Sequence, residues 1–178
     1  MGSEMCIRDR RNPESAKARR AMIDSQLRTS GVNEEFALAR MIAVPREDFL
    51  PDDKAALAYI DRSVRVDGGA LASPLFYGKA LLEAVPTRDD RVLVVEGGTG
   101  YLAALLEPLV ASVDTVSAVD AAKGAVKGSY SLIIVDGAIE QLPQELADAL
   151  EEGGRVVSGL VLRPVSYIHL TLPTIYSV

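Results

Sequence analysis

The chain has 178 residues, 48% of them hydrophobic and 25% charged, a length and composition sufficient for one globular core. Its formal net charge of -6 argues against a nucleic-acid partner, because binding phosphates requires a basic surface. The longest apolar runs have the length of strands, and no apolar stretch follows the basic residues near the start. We therefore expect a cytoplasmic monomer with no membrane partner and no secretory signal.

Both ends of the chain resemble translated sequencing-adapter sequence. Residues 163–178 also contain two prolines and lack a periodic pattern that would continue a fold. We expect residues 1–15 to be non-native or disordered and residues 163–178 to be a non-native tail, although genuine, unusual tails remain an alternative. The only cysteine (Cys6) and the only histidine (His169) lie in these ends. The rest of the chain therefore excludes a cysteine nucleophile, a histidine base and a Cys/His metal site, and we expect no metal.

The first part of the chain, residues 16–84, has the pattern of helices. Apolar residues recur at spacings of three and four, and Asn33 is placed to cap the second helix. Pro45 ends that helix, and Pro74 suits the first turn of another. The pattern predicts helices over residues 16–27, between Asn33 and Pro45, over a turn or two within 52–60, and over 75–84. The pattern therefore indicates an N-terminal helical segment.

From residue 85 to 162 the pattern becomes strand alternating with helix. It predicts strands over 91–96, 115–120, 131–136 and 155–162, and helices over 101–110 and 141–150. This alternation is typical of an α/β, Rossmann-like fold with a mostly parallel sheet. Only residues 121–130 separate the second and third strands, fewer than a helical crossover normally needs. We therefore expect an incomplete sheet, which lacks an edge strand or has lost a stretch of sequence.

A glycine-rich turn follows the first predicted strand. Gly97, Gly98 and Gly100 allow a tight turn and a close backbone approach to a ligand. Asp120, which is 20 residues past Gly100, is predicted at the end of the next strand, where an acid can accept hydrogen bonds from ribose hydroxyls. The alternative is a plain turn, with Asp120 as a helix cap. The stretch lacks the G-x-G-x-x-G fingerprint of dinucleotide sites, which favours S-adenosylmethionine as the ligand.

Several motifs outside the turn match one family. They are Val44-Pro45-Arg46, Phe49 with Pro51, Ala58-Tyr59 with Asp61, Ser73-Pro74 and Gly98-Thr99-Gly100-Tyr101. With them the chain resembles the protein-L-isoaspartate O-methyltransferases over residues 21–160. The resemblance implies an S-adenosyl-L-methionine-dependent enzyme that methylates isoaspartyl carboxylates in damaged proteins or peptides, a protein-repair reaction. Such a carboxylate is already ionised at neutral pH, so the reaction needs neither His nor Cys.

The resemblance also implies the site residues. Ser73 is the catalytic candidate on the acceptor side, residues 70–74, although a helix cap is an alternative role for it. The cofactor-binding candidates are Glu96, Gly97, Gly98, Thr99, Gly100, Tyr101, Asp120 and Asp136. For Asp136, capping of the turn after its strand is an equal alternative. The resemblance also places the N-terminal segment, residues 16–84, on the substrate side.

Three positions depart from the family pattern and leave two further hypotheses open. Val94 stands where the family usually has an acid, Glu96 replaces the first loop glycine, and Ala72 stands where the active-site serine is expected. These departures keep open a degenerate, non-catalytic homologue that still binds S-adenosylmethionine. A dinucleotide-dependent oxidoreductase is a third, less favoured hypothesis.

Overall fold

The computed structural model describes residues 13–162 and 169–177. Helix α1 (Pro13–Met22) continues through a π-helical turn, Ile23–Leu27, and a 3-10 turn, Arg28–Ser30. The predicted helix is therefore confirmed, although it begins earlier and changes its winding. Helix α2 (Glu35–Ala43) follows, with Glu34 at its cap position, so the assignment of the cap to Asn33 is wrong by one residue.

A small antiparallel hairpin and a helix complete the N-terminal half. Two 3-10 segments, Arg46–Phe49 and Asp52–Leu57, lead to strands β1 (Val64–Val66) and β2 (Gly69–Leu71), a pair that the sequence analysis did not anticipate. Helix α3 (Pro74–Ala84) follows directly. Ser73 caps this helix, because its side chain accepts a hydrogen bond from the Phe76 N–H at 3.3 Å.

The rest of the chain forms a five-stranded sheet in the order β4-β3-β5-β6-β7. Strands β3 to β6 are mutually parallel, and β7 is antiparallel to β6, which confirms the α/β fold with a mostly parallel sheet. The elements are β3 (Arg91–Glu96), α4 (Tyr101–Leu106), β4 (Ser112–Ser117), α5 (Ala118–Ala122), β5 (Tyr130–Ile139), α6 (Gln144–Asp148), β6 (Leu150–Leu162) and β7 (His169–Ser177).

Strand β4 lies at one edge of the sheet, with β3 as its hydrogen-bonded neighbour within the described part of the chain. Its side chains are exposed or half-buried along its whole length. The prediction of a strand over 115–120 is wrong at its end, since β4 stops at Ser117 and Asp120 lies inside α5. The cause is local: the Ser117 side chain caps α5 by accepting from the Asp120 N–H at 3.0 Å.

The other edge is formed by residues that the sequence analysis set aside. Strand β7 pairs along β6 from Leu162↔His169 to Arg155↔Ser177, so residues 169–177 add a strand to the sheet although they lack a periodic pattern. Their assignment to a non-native tail remains a prediction. At the other end, residues 13–15 already belong to α1, whereas the expectation for residues 1–12 lies outside the described part. The division of the chain into segments remains a prediction.

The sheet separates two apolar layers. Alternate residues of a strand point to opposite faces, and β3 is buried on both. Val92 and Val94 pack with the N-terminal helices, α3 and α4, whereas Leu93 and Val95 pack with α5 and α6. Among the described residues, no helix has the length and apolar character that crossing a membrane requires. The sheet thus fixes the carboxyl ends of β3 and β5, where the candidate site is located.

Candidate active site

The hairpin β1–β2 lies directly against the glycine-rich turn. The Ala70 N–H donates a hydrogen bond to the Gly97 carbonyl oxygen at 2.9 Å. A Cβ atom on Gly69 would overlap that same oxygen, so a side chain at Gly69 would push the hairpin away. The protein's own β1–β2 hairpin therefore makes the close backbone approach that glycine permits at this point, and it covers the turn.

Glu96 ends β3 and ties the turn together. Its Oε2 atom accepts a hydrogen bond from the Gly100 N–H at 2.9 Å. Its Oε1 atom is buried and has no hydrogen-bond partner among residues 13–162. Burial raises the pKa of Glu96, and the Gly100 N–H opposes that shift. Glu96, which replaces the expected loop glycine, thus holds the loop in place through one carboxylate oxygen, and its other oxygen has no hydrogen bond among the described residues.

Asp136 lies beside Glu96 on the next strand. The parallel register of β3 and β5 ends at Val95↔Val135, and Glu96 and Asp136 each follow directly after this last pair. Asp136 is only 7% exposed; its Oδ2 atom accepts from the Tyr77 hydroxyl at 3.1 Å, and its Oδ1 atom has no partner in the described chain. Burial raises the pKa of Asp136 to about 7, and the charge of Glu96 adds to this. The hydrogen bonds from the Tyr77 hydroxyl and the Gly97 N–H, and the charge of Arg46, oppose the shift.

A cavity of about 550 Å³ opens in front of Asp136, within the size range of small-molecule sites. Its lining includes three of the predicted site residues, Ser73, Gly97 and Asp136, together with Asp61 and Arg62. The predicted residues that do not line this cavity are Glu96, Gly98, Thr99, Gly100, Tyr101 and Asp120. Ser73 and Asp136 therefore line the same cavity, whereas most of the glycine-rich turn does not.

Arg46 joins the N-terminal motifs to this cavity. The residue is fully buried; its Nε atom donates to the Ala58 carbonyl and its Nη2 atom to the Ala72 carbonyl, both at 2.7 Å. The guanidinium lies over two aromatic rings, 5.4 Å from the centroid of Tyr77 and 5.1 Å from that of Tyr101. The Arg46 guanidinium thus connects segments that are separated in sequence, and it fixes the segment that carries Ser73.

Tyr101 and Asp120 both have structural contacts, and for Asp120 these lie at a helix start, close to the alternative role of helix cap. The Tyr101 side chain is fully buried and packs edge-on against Phe49 and Tyr77, with ring centroids 5.2 Å and 4.8 Å away. Asp120 is exposed, and its Oδ2 atom accepts from the Ser117 hydroxyl at 2.7 Å. The Ser-x-x-Asp spacing is a helix-start signal that could have indicated this helix. Binding of the cofactor by either residue remains a prediction.

Two residues of the site were missed as functional candidates. Arg46 was noted only as part of a motif, because charged residues are rarely fully buried and nothing in the sequence indicates a buried one. Tyr77 sits inside an apolar helical pattern, where its hydroxyl contact with Asp136, 59 positions away, has no local signal. For metals, the described residues contain no group of three or more His, Cys, Asp or Glu side chains placed to hold an ion.

The parallel sheet, the glycine turn after β3 and the cavity at the strand ends define a Rossmann-like α/β methyltransferase fold. The sequence pattern of the family described as protein-L-isoaspartate(D-aspartate) O-methyltransferase matches residues 17–129. A protein-L-isoaspartate O-methyltransferase of Methanoculleus marisnigri is 31% identical over 80% of this chain and 76% of its own length. Another, from Bradyrhizobium, is 31% identical over 88% of this chain and 83% of its own. The chain therefore belongs to the protein-L-isoaspartate O-methyltransferase family, which is a family of enzymes.

Solved structures agree on the fold. A protein-L-isoaspartate O-methyltransferase superposes with a TM-score of 0.63 at 19% identity, over 88% of this chain and 64% of its own length. A candidate protein-L-isoaspartate O-methyltransferase of Plasmodium falciparum, solved with S-adenosyl-L-homocysteine, gives 0.62 at 15% identity, over 92% and 94%. The chain thus spans about two thirds of the first of these proteins and nearly all of the second.

Proposed function

We propose that this protein transfers a methyl group from S-adenosyl-L-methionine to the carboxylate of L-isoaspartyl residues in damaged proteins. One observation supports this beyond the family. The cavity beside the glycine turn contains a buried carboxylate, Asp136, with an oxygen atom that has no partner among the described residues. A site with an unsatisfied buried acid in a cavity is a functional candidate. A repair role in the cytoplasm, a monomeric state and the lack of a nucleic-acid partner belong to the same proposal.

The residues present fit this cofactor. Asp136 lines the cavity and has a buried acceptor, Oδ1, without a partner in the described part of the chain, so a cationic ligand in the cavity can offset its charge. Glu96 Oε1 is a second such acceptor next to it, outside the cavity lining. When bound, S-adenosyl-L-methionine supplies a methyl group whose bond to sulfur breaks as a carboxylate oxygen bonds to the carbon, leaving the electron pair on sulfur. We assign the binding of its charged part to Asp136, with Glu96 adjoining.

The acceptor side is formed by residues around Ser73. The Ser73 oxygen accepts from the Phe76 N–H, so its own proton remains free to be donated to a carboxylate of the acceptor. Arg62 adds a positive charge to the lining of the same cavity. No general base is required, since the nucleophile is ionised at neutral pH. The protein therefore contributes orientation and the exclusion of water, which the hairpin over the turn supports.

A methyl-transfer assay tests the proposal. The protein is incubated with radiolabelled methyl donor and either an isoaspartyl peptide or the aspartyl peptide of the same sequence. We expect base-labile methyl ester in the isoaspartyl peptide only. Ser73→Ala is expected to slow this transfer while leaving the affinity for S-adenosyl-L-homocysteine unchanged. Equal labelling of both peptides would contradict the assigned acceptor.

A second candidate function, a binding protein that has lost transfer, is favoured by Ala72 at the position where the family pattern leads us to expect serine. The same preparation distinguishes it. Binding of S-adenosyl-L-homocysteine in a calorimetric titration, without methyl ester formation, would support the degenerate homologue. Binding of NAD alone would support the oxidoreductase and overturn both methyltransferase hypotheses.

A further inference from the structure

Two acidic side chains adjoin each other on neighbouring strands, at the last residue of β3 and near the carboxyl end of β5. Glu96 closes β3, and Asp136 occupies the next position of β5 in the register set by Val95 and Val135. Parallel strands are about 4.8 Å apart, and paired residues point to the same side of the sheet. Like charges this close, in a buried setting, interact strongly. The charge of Glu96 accordingly raises the pKa of Asp136.

Neither carboxylate is fully satisfied. Glu96 uses one oxygen to hold the Gly100 N–H, and Asp136 uses one to accept from Tyr77. The remaining oxygen of each is buried and has no partner among the described residues. Asp136 is only 7% exposed, and it lines the cavity. Such a buried, unpaired oxygen lacks the hydrogen-bond donor or the cation that would offset the cost of its burial.

The other charged groups around Asp136 do not supply that cation. Arg46 favours its ionised form, but its Nε and Nη2 atoms donate to the carbonyls of Ala58 and Ala72, and its buried Nη1 atom makes no hydrogen bond to Asp136 or to any other described residue. The Tyr77 hydroxyl already occupies Oδ2 of Asp136. Across the cavity lie Asp61 and Arg62, which are both exposed at its rim.

We propose that Glu96 and Asp136 form a charge-selective, proton-linked pair that favours a cationic methyl donor over its uncharged thioether product and releases a proton when the cation binds. This rests on the proposed function, since it takes S-adenosyl-L-methionine as the cation and S-adenosyl-L-homocysteine as the product. Asp136 faces the ligand, and Glu96 acts as a positioning residue whose charge keeps a proton on the pair while the cavity is empty. Exchange of that proton for the cation keeps the buried charge nearly constant.

A thermodynamic consequence follows for each ligand. Because the pKa of Asp136 is raised to about 7, the empty site holds part of a proton at pH 7. A bound sulfonium stabilises both ionised carboxylates and releases this proton, so affinity for S-adenosyl-L-methionine rises between pH 6 and pH 8. The thioether carries no sulfonium charge, so its affinity is expected to change much less over the same interval.

Calorimetric titration of the wild-type protein tests the linkage without any substitution. Each ligand is titrated at pH 7 in two buffers that differ in their enthalpy of ionisation, which gives the number of protons released on binding. We expect a measurable fraction of a proton for S-adenosyl-L-methionine and close to none for S-adenosyl-L-homocysteine. Equal proton release by the two ligands would overturn the inference.

A pair of variants assigns the effect to Glu96. Glu96→Gln keeps the shape and the Gly100 hydrogen bond but removes the charge, whereas Glu107→Gln removes an equal charge from the exposed far end of helix α4. At pH 8 we expect Glu96→Gln to lower the preference for the cation over the thioether about tenfold, and Glu107→Gln to leave it unchanged. An unchanged preference in a Glu96→Gln protein that binds both ligands would overturn the inference.

The two proposals fail in different ways. If both ligands bind with the same proton release, the pair does not select charge, and the proposed methyltransferase function is unaffected. If neither ligand binds the folded wild-type protein, the proposed function is overturned and the inference with it. Should Glu96→Gln fold poorly, Asp136→Asn provides the same comparison, because its amide oxygen can still accept from Tyr77.

Discussion

Two buried aspartates lie at opposite ends of the same sheet, and their surroundings differ sharply. Asp90 directly precedes β3 and is 4% exposed, whereas Asp136 lies near the carboxyl end of β5 and is 7% exposed. Neither residue is therefore accessible to solvent to any large extent. What separates them is the set of partners that each carboxylate has.

Asp90 is completely satisfied. Its Oδ1 atom accepts from the Ser131 hydroxyl at 2.7 Å, and its Oδ2 atom accepts from the Thr87 N–H at 2.7 Å and from Arg155 Nη2 at 2.8 Å. Burial alone would raise its pKa, but the hydrogen bonds from Arg155, Ser131 and Thr87 outweigh burial and hold the pKa well below its usual range. Asp90 thus fastens β3, β5 and β6 together at the amino ends of the strands.

Asp136 shows the opposite pattern. No arginine in the described part of the chain donates a hydrogen bond to it, and one of its oxygen atoms is unsatisfied. Its pKa is raised above the ordinary value of an aspartate. Burial alone therefore does not distinguish a structural acid from a functional one. The distinguishing feature is whether the protein supplies the donors or leaves them to a ligand.

The largest effect is expected from Asp90→Asn. The amide cannot accept from all the donors around Asp90, and it leaves the partly buried Arg155 without its ion pair, so we expect a loss of about 3 kcal/mol of unfolding free energy. Urea unfolding at pH 7 measures this. Because the folded pKa is depressed, the contribution of Asp90 is present above about pH 4 and is lost as the pH falls further. A loss that does not shrink below pH 4 would contradict the assigned ion pair.

Gly97→Ala probes the site end of the sheet. A Cβ atom there would lie 2.6 Å from the Asp136 carbonyl oxygen and 3.0 Å from its Cγ, so the turn and β5 must separate. We expect a cost of about 2 kcal/mol from this overpacking, together with weaker binding of S-adenosyl-L-homocysteine. Gly68→Ala is the control, since its Cβ meets open space and the cost comes from a φ of +84° alone. Equal affinities in the two variants would remove Gly97 from the site.

Asp136→Asn should have an effect opposite in sign to that of Asp90→Asn. Because the folded pKa of Asp136 is raised to about 7, its contribution to stability is greatest below the unfolded pKa and falls as the pH rises to 7. Replacing the acid with a neutral amide removes this decline, and we expect a gain of about 1 kcal/mol at pH 8 and little change at pH 4. Urea unfolding midpoints across this range provide the measurement. A variant less stable than wild type at pH 8 would contradict the unsatisfied state of Asp136.

The smallest effect on stability is expected from Asp120→Asn. Asp120 is exposed and contacts only its own helix cap, so we expect a change of at most about 0.5 kcal/mol. The sequence-based assignment of Asp120 to the ribose predicts, separately, an affinity for S-adenosyl-L-homocysteine weaker by about tenfold. An unchanged affinity would remove Asp120 from the cofactor site.

Much of the fold could be predicted from the sequence because its signals are local. The apolar run of β3 is buried on both faces, and its predicted bounds agree with Arg91–Glu96. Ser73 followed by Pro74 marks the start of α3 for equally local reasons. The β1–β2 hairpin was missed even though Asp67-Gly68, at its turn, is a strong hairpin signal. Strand β4 was misplaced because an exposed edge strand has little hydrophobic pattern to mark its bounds.

The site was less predictable, since its key contacts join distant residues. The sequence places Asp136 at a strand end, but nothing in it indicates that Tyr77 satisfies one oxygen and leaves the other without a partner. Nor does it indicate that Arg46 is buried between two tyrosine rings. These features depend on how helices pack on the sheet, which is not encoded in local spacing.

The most direct test of this account is a crystal structure of the protein with S-adenosyl-L-homocysteine. We expect the homocysteine part of the ligand in the cavity in front of Asp136, with its sulfur on the side of the Asp136 carboxylate and the glycine turn behind it. A ligand bound elsewhere, with this cavity filled only by water, would contradict the assignment of the site and of the unsatisfied aspartate that defines it.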